Sequence, residues 1–172
     1  MRQIVFTVAW VLMGCSLAAA AEPVARPLRL DSDEFPIGMY SVDGSKAMAQ
    51  ADALGIDYVQ SYATGRDDRP ESIERDLAYL NLAAEHGRRV AFQFAGRKLV
   101  DRPDGVETMV RIMDAVKAQP ALGFWIFYDE PVGRHTPEQL APFYEAAKQV
   151  APDVPFALCF AWTKHIADYK NV

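Results

Sequence analysis

Two adjacent carboxylates, Asp129 and Glu130, follow a run of apolar and aromatic residues that begins at Gly123. The run has the length and composition of a strand buried on both faces, as in a parallel sheet. Acidic residues are poor strand formers and Pro131 cannot donate to a ladder, so the strand should end here. Because α/β folds place their chemistry at the carboxyl ends of parallel strands, Glu130 is a candidate catalytic acid/base. The alternative is that both acids only cap a loop or begin a helix.

Strand and helix signals alternate regularly along the chain. The strands are predicted at 35–42, 56–62, 89–94, from 123 to the two acids, and at 154–160. Helical stripes are predicted at about 45–54 and 70–86, and after Asp104 and Thr136, each of which has the spacing of a capping box. This strict alternation implies a parallel sheet with right-handed crossovers.

Two architectures fit this pattern. One is an open, doubly wound five-stranded sheet, and the other is the first part of a (β/α)8 barrel. The first turn, Asp43-Gly44-Ser45, lacks the glycine pattern of a nucleotide-binding sheet, and the sequence reaches Val172 without a helix stop signal. We therefore expect an α/β fold that is a partial (β/α)8 TIM barrel, with about the first five βα units in residues 35–172.

Three segments resemble the (β/α)8 glycoside hydrolases of clan A and their secreted relatives: Trp-Ile-Phe-Tyr-Asp-Glu-Pro at 125–131, Thr-Pro-Glu-Gln-Leu at 136–140, and Pro-Asp-Val-Pro at 152–155. The resemblance implies a hydrolase acting on O-glycosyl bonds, with Glu130 as general acid/base. It places the nucleophile at the end of a seventh strand, beyond Val172. In that clan Asn usually precedes the acid/base, whereas here the residue is Asp129.

Breaking a glycosidic bond needs a proton donor and a second carboxylate about 5 Å away in a retaining enzyme. Regular alternation along a strand points Asp129 and Glu130 to opposite faces, so Asp129 is not expected to be that second group. Asp43, after the first strand, reads as a helix cap, and Asp57 lies inside the second strand.

Side chains suited to sugars occur at other predicted strand ends. Aromatic faces stack on pyranose rings, and amides bind hydroxyl groups. Gln60 closes the second strand, and a buried amide such as Gln93 needs hydrogen-bond partners. The predicted substrate-binding residues are Asp129, Tyr40, Tyr62, Gln93 and Trp162. The alternative for the two tyrosines is simple packing around the rim.

The N-terminus has the pattern of an export signal. A short basic start, an apolar stretch and three alanines predict a signal peptide at 1–21, followed by a flexible leader at 22–34. A rival reading places a lipid anchor at Cys15, within a lipoprotein-like box. We expect a secreted or periplasmic protein, with a lipoprotein as the alternative, and no membrane span.

The composition limits the classes of binding partner that we expect. The formal net charge is −5, which argues against nucleic-acid or anionic-membrane partners. We expect Cys159 to be buried as a small apolar side chain. Asp129, Glu130 and His135 could ligate a metal, but their spacing fits no standard site, so we expect neither metal nor cofactor. The runner-up functions are a non-catalytic carbohydrate-binding protein or an inactive truncated fragment, followed by a metal-dependent hydrolase.

Overall fold

A computed structural model describes residues 37–160 and Tyr169 of the chain. Within these residues the fold is α/β, with a five-stranded parallel sheet in the order β1-β2-β3-β4-β5. The strands are β1 Gly38–Met39, β2 Tyr58–Val59, β3 Arg89–Gln93, β4 Leu122–Asp129 and β5 Phe156–Cys159. The helices are α1 Gly44–Ala53, α2 Pro70–Glu85, α3 Gly96–Val100, α4 Gly105–Val116 and α5 Pro137–Val150. The predicted alternation of strands and helices is confirmed.

One face of the sheet packs against the helices. Phe92 and Trp125 are register partners and their rings meet edge to face, while Phe127 stacks on Phe143 of α5 at 4.7 Å between ring centroids. The apolar stripe of α4, including Ile112, completes this layer. Burial of large aromatic side chains is the main stabilising term in such a layer.

The opposite face has a different composition. Register partners in a parallel sheet share a face, so Gln93 lies on the same side as Ile126, and Ala91 on the same side as Phe124. The ring of Tyr58 meets that of Phe124 at 5.4 Å between centroids. This second face therefore carries both apolar side chains and the buried amide of Gln93. Gln93 lies at the carboxyl end of β3.

Strand β4 contains an extra residue. Ile126 pairs with Ala157 and Tyr128 with Leu158, so two steps along β4 match one step along β5 and Phe127 is the bulged residue. The bulge shifts the alternation of β4 by one position. As a result Asp129, the partner of Cys159, shares the face of Ile126 and Gln93.

The predicted helix boundaries need two corrections. Helix α3 was not predicted, because five residues are too few for a periodic apolar stripe. The capping box expected at Asp104 is wrong, since this carboxylate forms no cap and instead binds the guanidinium of Arg102. At α5, by contrast, the backbone N–H of Thr136 donates to the Gln139 side chain at 2.8 Å, as a capping box requires.

Several predictions concern residues outside the described part of the chain. They are the signal peptide at 1–21, the leader at 22–34, the anchor at Cys15, the first residues of the first strand and the substrate contact at Trp162. In the described part, no helix combines the length and apolar character that crossing a bilayer requires.

Gly65 should tolerate no side chain. Its φ is +58°, and a Cβ there would lie 2.6 Å from the Gln93 carbonyl oxygen. Gly87 is a matched control, because its φ is +65° and a Cβ there would meet nothing within 4 Å. Both alanine variants place a side chain on a left-handed backbone, which is unfavourable, but only Gly65→Ala also creates a steric clash. We expect Gly65→Ala to lower the free energy of unfolding by about 2 kcal/mol more than Gly87→Ala in urea titrations; equal losses would contradict this packing.

Candidate functional site

Asp129 and Cys159 lie side by side where β4 and β5 end. They are register partners, which places the Cys159 thiol beside the Asp129 carboxylate. Burial and the neighbouring carboxylates of Asp129 and Glu130 raise the pKa of the Cys159 thiol. The thiol is therefore held in its protonated form beside a carboxylate, which is not the environment of a nucleophilic cysteine.

Glu130 directly follows β4 and has a left-handed backbone, with φ +57°. Its N–H donates to the Cys159 carbonyl oxygen at 2.9 Å, which fixes the residue against β5. Left-handed backbone is costly for a non-glycine residue and is often found at functional sites. The alternation rule, which predicted that the two acids diverge, does not extend to Glu130 because this residue lies outside the strand. Both acids are exposed to solvent.

Tyr40 and Tyr62 form a stacked pair at the ends of β1 and β2. Their ring centroids are 6.4 Å apart with an interplanar angle of 23°. The residues are 56% and 47% exposed, so much of each ring remains available to a ligand. The pKa of Tyr40 is raised, first by burial and then by the charges of Cys159, Tyr62 and Asp129. The pair thus belongs to the same charged edge as the end of β4. We call Tyr40 and Tyr62 the tyrosine platform.

The buried side chain of Gln93 has a hydrogen-bond partner. The Gln60 side-chain amide donates to the Gln93 carbonyl oxygen Oε1 at 2.5 Å, and both residues are buried. Gln60 in turn accepts from the Ser41 N–H at 3.3 Å, and Ser41 also has a left-handed backbone. The two amides therefore connect the ends of β1, β2 and β3. Because the two amides are hydrogen-bonded to each other, they stabilise the backbone beneath this edge of the sheet.

The loop after β2 is held by buried polar groups. Thr64 donates its hydroxyl to the Gln93 backbone oxygen at 2.9 Å, and the Gly65 N–H donates to Asp76 of α2 at 3.0 Å. Asp76 is fully buried, and burial raises the pKa of its carboxyl to about 6. Its other oxygen has no hydrogen-bond partner in the described part of the chain. A buried carboxyl thus fixes the loop that presents Tyr62.

Asp43 has a different role from the predicted helix cap. It stands at the N-cap position of α1, but its side chain makes no cap hydrogen bond. It accepts instead from the Ser61 hydroxyl, and the Ser61 oxygen accepts from the Ala63 N–H at 3.0 Å. Asp43 therefore braces the turn between β2 and Tyr62. Asp57, expected within the second strand, immediately precedes β2 and accepts from the Ile37 N–H at 2.9 Å.

His135 is engaged by side chains other than the two acids. Its Nδ1 lies 2.9 Å from the Tyr128 hydroxyl, and its Nε2 lies 2.9 Å from a carboxylate oxygen of Asp101. This chain of contacts fixes the loop between β4 and α5. Among the residues that the structure describes, no group of three His, Cys, Asp or Glu side chains could hold a metal ion.

The structure brings together Asp129, Tyr40 and Tyr62 as predicted neighbours of Glu130 at one edge. Gln93 lies beneath them and is already hydrogen-bonded. Sequence reasoning missed the contact of Cys159 with Asp129, because it treated Cys159 only as a packing residue. Because both residues lie near the ends of neighbouring predicted strands, the sequence could have indicated that they are close together.

Comparison of the sequence with protein-family models found no match, and neither did comparison with curated proteins.

Asp76 should make the protein less stable as the pH rises. Its folded pKa, about 6, lies above the ordinary value of 3.8, so the folded state binds the proton more tightly than the unfolded state. Its contribution is most favourable below pH 3.8 and falls as the pH rises to 6, by at most about 3 kcal/mol.

In Asp76→Asn this dependence should vanish, since the amide oxygen can still accept from Gly65. The measurement is the difference in unfolding free energy between wild type and variant from pH 3.5 to 7. Acids that do not interact with Asp76 contribute equally to both proteins and cancel. A difference that does not change with pH would contradict the raised pKa.

Asp129→Asn should make the Cys159 thiol ionise at lower pH, because the substitution removes the neighbouring negative charge. The measurement is the pH dependence of alkylation by iodoacetamide, in a Cys15→Ala background so that Cys159 is the single thiol of the chain. Glu130→Gln is the control and should have a smaller effect, since Glu130 is the weakest of the influences on this thiol. An unchanged profile for Asp129→Asn would mean that Asp129 does not contact the thiol.

Proposed function

We propose that this chain is part of an exported glycoside hydrolase-like protein, and that its five parallel strands are the first part of a (β/α)8 TIM barrel. The observation that carries the proposal is the edge formed by Asp129, Glu130 and the tyrosine platform. Carboxylates and exposed aromatic rings meet there at the carboxyl ends of parallel strands, where barrel enzymes place their sites. The resemblance at 125–131 supports the same assignment.

Glu130 is the proposed general acid/base. It is exposed, so a glycosidic oxygen can approach it, and its backbone is fixed by the bond to the Cys159 carbonyl. A general acid protonates the leaving oxygen as the glycosidic bond breaks, and the same group then activates water in a retaining mechanism. The second carboxylate of the reaction belongs to a later strand, beyond Val172, in this proposal.

Asp129 is the proposed supporting residue. The bulge at Phe127 turns it toward the face of Gln93, where its carboxylate lies beside the Cys159 thiol. An ionised carboxylate can accept several hydrogen bonds, so a sugar hydroxyl can share it.

The tyrosine platform is the proposed sugar-binding surface. The half-exposed rings are nearly parallel and offer a broad apolar face, onto which the C–H face of a pyranose can stack. Gln60 and Gln93 hold the backbone beneath the platform. Trp162 is a further proposed substrate-binding residue.

A non-catalytic carbohydrate-binding protein is the second candidate. It is favoured by the strand ends themselves, since in the described sheet β4 is the one strand that ends in carboxylates. The residues that directly follow β1, β2, β3 and β5 are Tyr40, Gln60, Phe94 and Phe160. This candidate shares the platform and predicts glycan affinity without turnover. An inactive truncated fragment would lack the opposing carboxylate in the same way.

Export and its destination are also proposals. The basic start, the apolar stretch and the alanine site support a secreted or periplasmic protein, and the box around Cys15 supports a lipoprotein as the alternative.

Glu130→Gln tests the enzyme against the binding protein. With the complete protein and a panel of aryl glycosides, we expect kcat to fall by about 10²- to 10⁴-fold, because the amide cannot donate the proton. Glycan affinity should stay within about twofold, because the amide has nearly the shape of the acid.

Glu145→Gln is the matched control, since it neutralises an exposed glutamate on α5 and should leave turnover unchanged. Asp129→Asn should reduce turnover less than Glu130→Gln. Turnover that survives Glu130→Gln would remove the catalytic assignment, and glycan binding by a wild type that shows no turnover would favour the second candidate.

A further inference from the structure

A cleft lined entirely by charged side chains lies beside the tyrosine platform. Its volume is about 500 Å³. The lining residues are Arg66, Asp67, Arg69, Lys98, Asp101 and Arg102, four cations and two carboxylates, in a chain whose overall charge is −5. We call this set the basic cleft. A local excess of positive charge in a concave site attracts anions even when the whole protein is acidic.

The basic cleft is built on the same edge as the candidate site. Arg66 donates from Nε and Nη2 to the backbone oxygen of Tyr62, at 3.2 and 3.0 Å. The loops that form the two sides of the cleft are joined where the Ala95 N–H donates to the Gly65 oxygen at 3.0 Å. The cleft is thus fixed relative to the platform.

The carboxylates of the cleft are already engaged. Asp67 accepts two hydrogen bonds from the Arg69 guanidinium, at 2.9 and 3.0 Å, and Asp101 accepts from His135. Arg102 is likewise paired with Asp104, outside the cleft. These pairs leave two cations of the cleft without a carboxylate.

Arg66 and Lys98 are the two lining cations that form no ion pair in the described part of the chain. Arg66 bonds a neutral backbone oxygen with two of its five N–H groups, so its other N–H groups can bind a ligand. Within residues 37–160 and Tyr169, Lys98 makes no hydrogen bond or ion pair, and it is exposed. A guanidinium and an ammonium on opposite sides of a cleft suit an oxoanion, to which both can donate charge-assisted hydrogen bonds.

We propose that the basic cleft binds an acidic group of the glycan, a carboxylate or a sulfate ester, and that the substrate is an acidic polysaccharide. The inference rests on the proposed function, because it gives the glycan class for the same edge. A sugar ring on the tyrosine platform would place the acidic group of a neighbouring residue over Arg66. Two unmatched cations are too few for the many phosphates of a nucleic acid, whose binding requires a long basic surface.

The test uses affinity electrophoresis of the full chain in gels that contain polygalacturonate, a sulfated galactan, or polygalacturonate whose carboxyl groups have been reduced to alcohols. We expect the chain to be retarded by at least one acidic polymer and only weakly by the reduced polymer. Loss of retardation between 50 and 500 mM NaCl should be confined to the acidic polymers, because screening weakens only charged contacts. Preference for one acidic polymer distinguishes a carboxylate from a sulfate ligand.

The variants locate the binding. The double variant Arg66→Gln/Lys98→Gln should weaken affinity for the acidic polymer about tenfold, as expected for two lost solvent-exposed ion pairs, and leave affinity for the reduced polymer unchanged. The double variant Lys46→Gln/Lys117→Gln removes the same charge from α1 and the end of α4, and it should behave as wild type. Arg66→Lys should retain most of the affinity, and its thermal melting should match that of wild type.

Equal retardation by acidic and reduced polymers would overturn the proposal and leave the glycosidase assignment standing. Equal weakening by the two double variants would also overturn it, since the effect would then follow net charge and not the cleft. Absence of retardation by both acidic polymers would overturn it as well, while Glu130→Gln continues to test the catalytic assignment independently on aryl glycosides.

Discussion

The arrangement of residues at the carboxyl edge of this sheet depends on one constraint. The polar groups buried beneath the edge must form hydrogen bonds with one another. Gln60 and Gln93 are buried and share a hydrogen bond, and Thr64 binds the backbone oxygen of Gln93. An unpaired buried amide costs about 1 to 3 kcal/mol, so these side chains strongly favour one arrangement of the loops. The exposed groups above them, including the tyrosine platform, are positioned by that arrangement.

Much of the fold follows from local chemistry. The apolar and aromatic run before Asp129 has the length and composition of a strand covered on both sides, and in the structure this strand ends at Asp129. The apolar stripes of α2, α4 and α5 predicted the approximate bounds of these helices. The buried amide of Gln93 could also be recognised, because a glutamine inside an apolar strand must find a partner.

Other features depend on contacts between distant residues. The bulge at Phe127 arises from the pairing of β4 with β5, and no residue of β4 alone specifies it. Helix α3 exists where the chain must pass close to β4, since a Cβ on Gly96 would lie 2.2 Å from the Phe127 carbonyl oxygen. Asp43 has the local pattern of a cap but binds Ser61 across the loop, so a long-range hydrogen bond replaces a local one. The left-handed backbone of Glu130 is likewise set by its contact with β5.

The charges of the edge are divided between two zones. The acids Asp129 and Glu130 lie at the end of β4, whereas the unpaired cation Arg66 lies on the loop after β2 and the unpaired cation Lys98 lies on α3. In the proposed function this division resolves a difficulty for an acidic glycan, because its charged groups would be repelled by the carboxylates at the proposed site of cleavage. A polymer held at its acidic group by the basic cleft would present an uncharged glycosidic oxygen to Glu130, and the repulsion would disfavour registers that place a charged group there. The same electrostatic arrangement that binds the chain would therefore also set which bond is cleaved.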